Sequence, residues 1–241
     1  MKTKNVIILC EYSGRVRDAF ESKGWNAWSC DLLPTESEQT KASGKHYQGD
    51  ALSFLRTSKS KKKKMQLFQS IDFAKLPDKW DLLIAFPPCT YLSYAGNAHW
   101  NDKGRLRKRL EALNFFAEIW EAPVEHICIE NPKGCASPTI AKYSQIIQPY
   151  YFGEKYMKTT CLWLKNLPNL TYSQNNTLFQ EKTTVIPEFY YVNACSRHKA
   201  ANKENVYKGS NNAKIRSLTF MGIANAMAEQ WTEFFNNLQT K

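Results

Sequence analysis

Leu82-Leu83-Ile84-Ala85-Phe86 is an unbroken apolar run closed by Pro87-Pro88 and followed at once by Cys89. A short run with no polar alternation suits a strand covered on both faces, as strands of a parallel sheet are. The prolines must end it, because proline has no N–H for the ladder and restricts the residue before it. Cys89 therefore stands at a strand's carboxyl end, the edge of an open α/β sheet where ligands bind. Ile127-Cys128-Ile129-Glu130-Asn131-Pro132 repeats the pattern about forty residues later, with a carboxylate where the first run has a thiol. Together they suggest a cysteine nucleophile and a carboxylic acid facing one substrate.

The rest of the chain reads as the frame for these two strands. Val6–Cys10 is a strand, Glu11–Gly14 a turn and Arg15–Lys23 a helix with Val16, Ala19 and Phe20 on one face; Ser13 is the expected N-cap and Gly24 the stop. Trp25–Cys30 gives a second strand ending at Asp31, and His46–Gln48 a third before Gly49-Asp50 and a helix near Ala51. That β-α-β-loop-β-α order implies a parallel sheet. A helix is expected from about Leu106 to Trp120, a fifth strand over Val124–Ile129, helix over Tyr143–Ile147 and a strand over Thr159–Leu164. Tyr172–Ala213 is polar with little periodicity, and Thr219–Leu238 recovers a helical stripe of Ile223, Met227, Trp231 and Phe234. The expected fold is thus one α/β, Rossmann-like domain of mostly parallel sheet and flanking helices, built from 1–170 plus 214–241, with 171–213 a small C-terminal insert.

Lys and Arg number 33 against 22 Asp and Glu, a net charge of +11 that favours polyanionic partners, nucleic acid before acidic membrane. No apolar run approaches the ~18 residues of a membrane span, and Met1–Asn5 leads straight into a strand, so a cytoplasmic protein with no membrane partner is expected. Seven cysteines, an odd number without C-x-x-C spacing, argue for reduced thiols over a disulfide framework or a zinc knuckle, and no metal is expected. Cys10, Cys30, Cys128 and Cys161 sit in apolar runs and read as core filler. The lysine run around 58–64 reads as a solvated surface loop.

A strand that delivers the chain through Glu11-Tyr12-Ser13-Gly14 to a helix start can bind an anion or carboxylate there, or simply turn. Asp31 and Asp50, at the ends of the second and third strands, can accept hydrogen bonds from ribose hydroxyls and an adenine amino group; the alternative for each is an N-cap or turn. The thiolate is the attacking form of Cys89, favoured by basic neighbours, for which Lys158, Arg105 and Arg107 are candidates; a plain loop cysteine is the alternative. Glu130, ending an apolar strand, can keep a proton to give to a ring nitrogen, or can be a strand-end carboxylate paired with a lysine.

Val6–Phe20, Asp31, Gly49-Asp50, Phe86-Pro87-Pro88-Cys89-Thr90, Ile129-Glu130-Asn131 and Gly222–Ala228 occur in the order of the C5 cytosine-specific DNA methyltransferases. The chain resembles most closely the short, phage-type members of that family. The resemblance implies a methyltransferase fold, S-adenosylmethionine as cofactor and methyl transfer to cytosine C5 through a covalent cysteine adduct. Cys89 would attack C6, Glu130 protonate N3, Asn131 orient the loop and Lys158 supply charge near the cytosine O2. Tyr12, Ser13 and Gly14 would line the methionine end, Asp31 and Leu32 the ribose side, Asp50 the adenine, and Phe86 and Pro87 the cofactor wall. Double-stranded DNA is the implied partner, its cytosine flipped out of the stack. The insert would be a reduced target-recognition segment, with Lys199, Lys203, Lys208, Lys214 and Arg216 on phosphates or merely solvated. Two alternatives stand beside this reading: an enzyme for a pyrimidine nucleotide or single-stranded nucleic acid, and an inactive homologue that binds nucleic acid or a host factor.

Overall fold

The computed structural model describes residues 3–56, 76–172, 187, 189–190 and 219–239. Strands β1 (Asn5–Leu9), β4 (Leu82–Ala85) and β5 (His126–Asn131) form the middle of a seven-stranded sheet, and every residue of β4 is buried. Alternate side chains of these strands enter two separate cores, as the period of two requires. Ile7, Leu9, Leu83 and Ala85 face Trp28, Phe54, Phe116 and Trp163 on one side. Val6, Ile8, Leu82 and Ile84 face Phe20, Trp25, Met227 and Trp231 on the other. A strand with two covered faces has no position left for a polar side chain, which is why the apolar runs are continuous.

The strand order is β3 (His46–Gln48), β2 (Asn26–Asp31), β1, β4, β5, β8 (Thr160–Lys165), β6 (Gln145–Ile147). The first five are parallel, and β8 runs antiparallel to both its neighbours. Helices α1 (Arg15–Ser22) and α6 (Met221–Gln239) cover one face, and α3 (Ala51–Leu55) and α4 (Arg105–Trp120) the other. This is the mostly parallel, Rossmann-like α/β fold expected from the sequence. The chain winds outward in one direction from β1 and in the other from β4, so the crevice at their carboxyl ends is the topological switch point. Register sets what lies there: Leu9, Ala85 and Ile129 are level across the sheet, so Cys10, Phe86 and Glu130 follow side by side.

Four local expectations are corrected. Residues 143–147 are not helical: Gln145–Ile147 pairs with Leu162, Cys161 and Thr160 as an edge strand. Two adjacent isoleucines satisfy either period, and the partner strand decides. The N-cap of α1 is Gly14, in the left-handed conformation at φ 77°, and not Ser13. The segment between β2 and β3 contains a short helix, α2 (Glu38–Ser43), started by Ser37, whose side chain accepts from Thr40 N. Cys10, expected as core filler, is half-buried with its backbone in the left-handed region at φ 58°, while Cys30, Cys128 and Cys161 are buried. Apart from 171–172, Pro187 and the two-residue strand β9 (Phe189–Tyr190), which pairs with β7 (Tyr156–Met157), the insert lies outside the described residues.

Trp231 of α6 is wholly buried and donates from Nε1 to Pro168 O at 3.1 Å. Trp231→Ala should cost about 3–5 kcal/mol in a chemical denaturation series; a loss under about 1 kcal/mol would mean that α6 does not close this face.

Candidate active site at the carboxyl edge of the sheet

The turn after β1 folds around its own acid. Glu11 is 4% exposed, and its Oε1 accepts from Ser13 Oγ and, at 3.1 Å, from Arg15 N. Arg15 N is also within 3.3 Å of Ser13 Oγ, so both side chains satisfy the start of α1 that Gly14 cannot cap. Gly14 is required twice over: its φ is positive, and a Cβ there would lie 2.3 Å from Ser37 Cβ. Burial pushes the Glu11 carboxyl up to about 7 despite these donors. Its second oxygen, Oε2, is buried with no hydrogen-bond partner among the described residues. The turn is legible in the sequence but the part Glu11 plays in it is not, the available signal being an acid directly after an apolar strand.

Asp31 and Asp50 converge on the same edge. Both lie close enough to Cys10 to add to the burial that pushes its thiol up to about 12. Asp31 is pushed upward by burial and accepts from Leu33 N at 2.9 Å. Asp50 caps α3, accepting from Ser53 N at 2.7 Å, which is the alternative role the sequence left open. Leu32, beside Asp31, is 73% exposed, an apolar face turned to solvent at the cleft. Tyr12 is half-buried, and its carbonyl accepts from Glu36 N.

On the other side of the switch point, Phe86 continues the ladder by donating to Leu9 O at 3.0 Å, and Pro87 is buried behind it. Cys89 is exposed, and its carbonyl accepts from Leu92 N and Ser93 N to begin a tight turn. Asn131, 1% exposed at the end of β5, donates from Nδ2 to Pro87 O at 2.7 Å. That bond fastens the turn carrying Cys89 to the strand end carrying Glu130. Glu130 is half-buried and accepts from the hydroxyl of buried Thr160 on β8. Lys158 lines one hollow with Glu130, Thr160 and Phe220, its Nζ 5.9 Å from the Phe220 ring.

Of the basic candidates, Arg105 is brought to the cysteine turn and Arg107 is not. Arg105 Nη2 donates to Thr90 O at 3.0 Å, and Arg109, which sequence reading missed, donates from Nε to Tyr91 O at 2.9 Å. Arg107 is exposed and pairs with Glu111. Lys199, Lys203, Lys208, Lys214 and Arg216 lie outside the described residues. Among the described residues no group of three or more His, Cys, Asp or Glu side chains could hold a metal, and no helix is long and apolar enough to cross a membrane.

No protein-family pattern and no curated protein matches this chain. Solved structures do. One is a DNA modification methyltransferase encoded within a prophage of E. coli, 16% identical with TM-score 0.40, the match covering 67% of this chain and 46% of that one. Another is the methyltransferase EhMeth of Entamoeba histolytica, at 18% and 0.42, covering 73% and 58%. A third is the Dnmt2 methyltransferase of S. pombe, at 18% and 0.40, covering 70% and 51%. The chain spans about half the length of these proteins.

The Glu11 proton has a stability consequence. Its carboxyl titrates near 4.5 when exposed and at about 7 in the folded chain, so the folded protein holds the extra proton between those values. Its contribution is complete below pH 4.5 and is lost as pH rises through 7. Glu11→Gln keeps an acceptor without the charge. It should match the wild type in denaturation midpoint near pH 4 and exceed it at pH 8; a wild type that gains on the variant over that range would contradict the assignment.

Proposed function

We propose that this protein is a methyltransferase that uses S-adenosylmethionine to methylate C5 of cytosine in DNA, with Cys89 as nucleophile and Glu130 as acid. The observation that carries the reading is the buried Asn131–Pro87 hydrogen bond, which ties the thiol's turn to the carboxylate's strand end on adjacent parallel strands.

The residues at the switch point fit the cofactor. The partnerless buried oxygen of Glu11 suits an ammonium, the carboxylates of Asp31 and Asp50 suit ribose hydroxyls and an adenine amino group, and exposed Leu32 offers an apolar face to a purine. Tyr12, Ser13 and Gly14 would flank its methionine end, and Phe86 with Pro87 its wall. S-adenosylmethionine supplies a methyl group activated by a sulfonium. The remaining chemistry belongs to the chain. The Cys89 thiolate forms a bond to C6 while Glu130 gives its proton to N3, so C5 gains the electron pair of the ring double bond. After C5 is methylated, a base removes its remaining proton, the double bond re-forms, the Cys89–C6 bond breaks and N3 returns its proton to Glu130. Asn131 holds the two groups in register, and Lys158 places positive charge on the Glu130 side of the cleft.

A net charge of +11 supports a polyanionic substrate. Residues 171–213 would be a reduced target-recognition segment, with Lys199, Lys203 and Lys208 in it and Lys214 and Arg216 just beyond it on the phosphates.

Incubation with methyl-labelled cofactor and cytosine-containing DNA, followed by nucleoside mass spectrometry, should yield 5-methylcytosine. Cys89→Ala should abolish the label while leaving cofactor binding intact, and Glu130→Gln should slow transfer by about 10²- to 10⁴-fold. Label on an exocyclic nitrogen, or full activity of Cys89→Ala, would reject the mechanism.

A further inference from the structure

We propose that residues 91–109 form a docking track for an unpaired polynucleotide strand, with bases stacking on Tyr94 and Trp100 and phosphates meeting Lys103, Arg107 and Lys108. It depends on the reading above only for where the strand leads, which is the turn of Cys89.

Three of the eight large apolar side chains exposed among the described residues lie here, Tyr94 at 50%, Trp100 at 47% and Leu106 at 57%, and Leu110, at 57%, follows directly. They are interleaved with Lys103, Arg105, Arg107, Lys108 and Arg109 within seven residues, against Asp102 and Glu111. Asp102 faces His99 at 3.2 Å, and Glu111 pairs with Arg107. The surface is therefore both apolar and strongly cationic, a pairing that fits the ring faces and phosphates of a strand better than an apolar protein face.

The placement of charge points the same way. Arg105, Arg107, Lys108 and Arg109 open α4, at the positive end of its dipole, with no acid in the first turn and no side-chain cap from Gly104. Cations there repel the helix end, and an anion relieves the repulsion. Arg105, only 9% exposed, also keeps a buried Nε with no hydrogen-bond partner among the described residues.

Hydrogen bonds join the track to the site. Buried Arg105 and Arg109 reach back to Thr90 O and Tyr91 O, the two carbonyls after Cys89, and Arg109 Nη2 donates to Asn97 Oδ1 at 2.9 Å. The Arg109 guanidinium stands 4.5 Å from the Trp100 ring centre, and the Tyr91 ring centre is 5.1 Å from the Arg105 guanidinium and 5.5 Å from Lys108 Nζ. Trp100, already held against a cation, loses less freedom when a base stacks on it. A duplex hides its base faces, so these rings can grip only a strand that is unpaired.

Fluorescence anisotropy with labelled dT20, U20 and a dT20·dA20 duplex tests this. None contains cytosine, so binding is read apart from methyl transfer. Either single strand, DNA or RNA, should bind at least tenfold tighter than the duplex, and the stronger of the two identifies the natural sugar. Tyr94→Ala and Trp100→Ala should each weaken it about 5- to 100-fold, with Trp100→Phe recovering most of the loss. Lys103→Ala with Lys108→Ala should reduce the slope of log affinity on log salt by about 1.4. Duplex binding as tight as strand binding, or ring variants that fold and bind like the wild type, would overturn the track. Self-association that is abolished by Tyr94→Ala, Trp100→Ala or Leu106→Asp, in a protein that binds neither strand, would overturn it in favour of a protein-facing patch. Methyl transfer by a wild type that binds neither strand would sink the track alone, and strand binding without transfer would sink the enzyme alone.

Discussion

A single buried amide orders the functional edge of this protein. Asn131 is almost fully enclosed at the end of β5, where an unpaired amide would cost free energy, and its Nδ2 is satisfied by Pro87 O. Pro87 lies beyond the last paired residue of β4, and Pro88 after it has no N–H, so that carbonyl has left the sheet ladder and is available to the side chain. Removing the tie would free the turn of Cys89 from the strand that holds Glu130. The oxygen of the amide, Oδ1, is buried and without a partner among the described residues.

The sheet supplies the rest by position. Cys10, Phe86 and Glu130 come level because β1, β4 and β5 are parallel and in register, and Asp31 and Asp50 arrive from β2 and β3 on the same edge. A molecule of net charge +11 thus carries a cleft with Glu11, Asp31, Asp50 and Glu130 at its rim. The two signs have separate uses in the proposed reaction: the acids suit a cofactor bearing an ammonium and a sulfonium, and the basic exterior suits a phosphate backbone. Glu11 is the most confined of the four, and its proton near neutrality follows from burial outweighing the hydrogen bonds from Ser13, Arg15 and Gly14.

The sheet centre was legible in the sequence because strands buried on both faces leave no ambiguity in the apolar pattern of 6–9, 82–85 and 127–129. The prolines after Phe86 and the Glu130-Asn131-Pro132 sequence marked the strand ends for the same local reasons. What failed was decided by distant partners. Ile146-Ile147 became a strand only through β8, and the start of α1 belongs to Gly14 because Ser37 leaves no room for a Cβ. Arg109 is one of several arginines in a helix pattern, and nothing local shows that its guanidinium turns back to Tyr91 O. Lys199, Lys203, Lys208, Lys214 and Arg216 lie outside the described residues, whereas the cationic and aromatic surface that the structure does describe sits on the segment after Cys89.

The most direct measurement is covalent trapping on a DNA oligonucleotide containing 5-fluorocytosine, in the presence of S-adenosylmethionine. Fluorine at C5 cannot leave as the proton does, so addition of sulfur and methyl should stop with the enzyme attached. Peptide mass spectrometry should then find the methylated base on Cys89, in stoichiometric yield. An adduct on another cysteine, or methylated DNA that forms with no adduct, would contradict attack by this thiol.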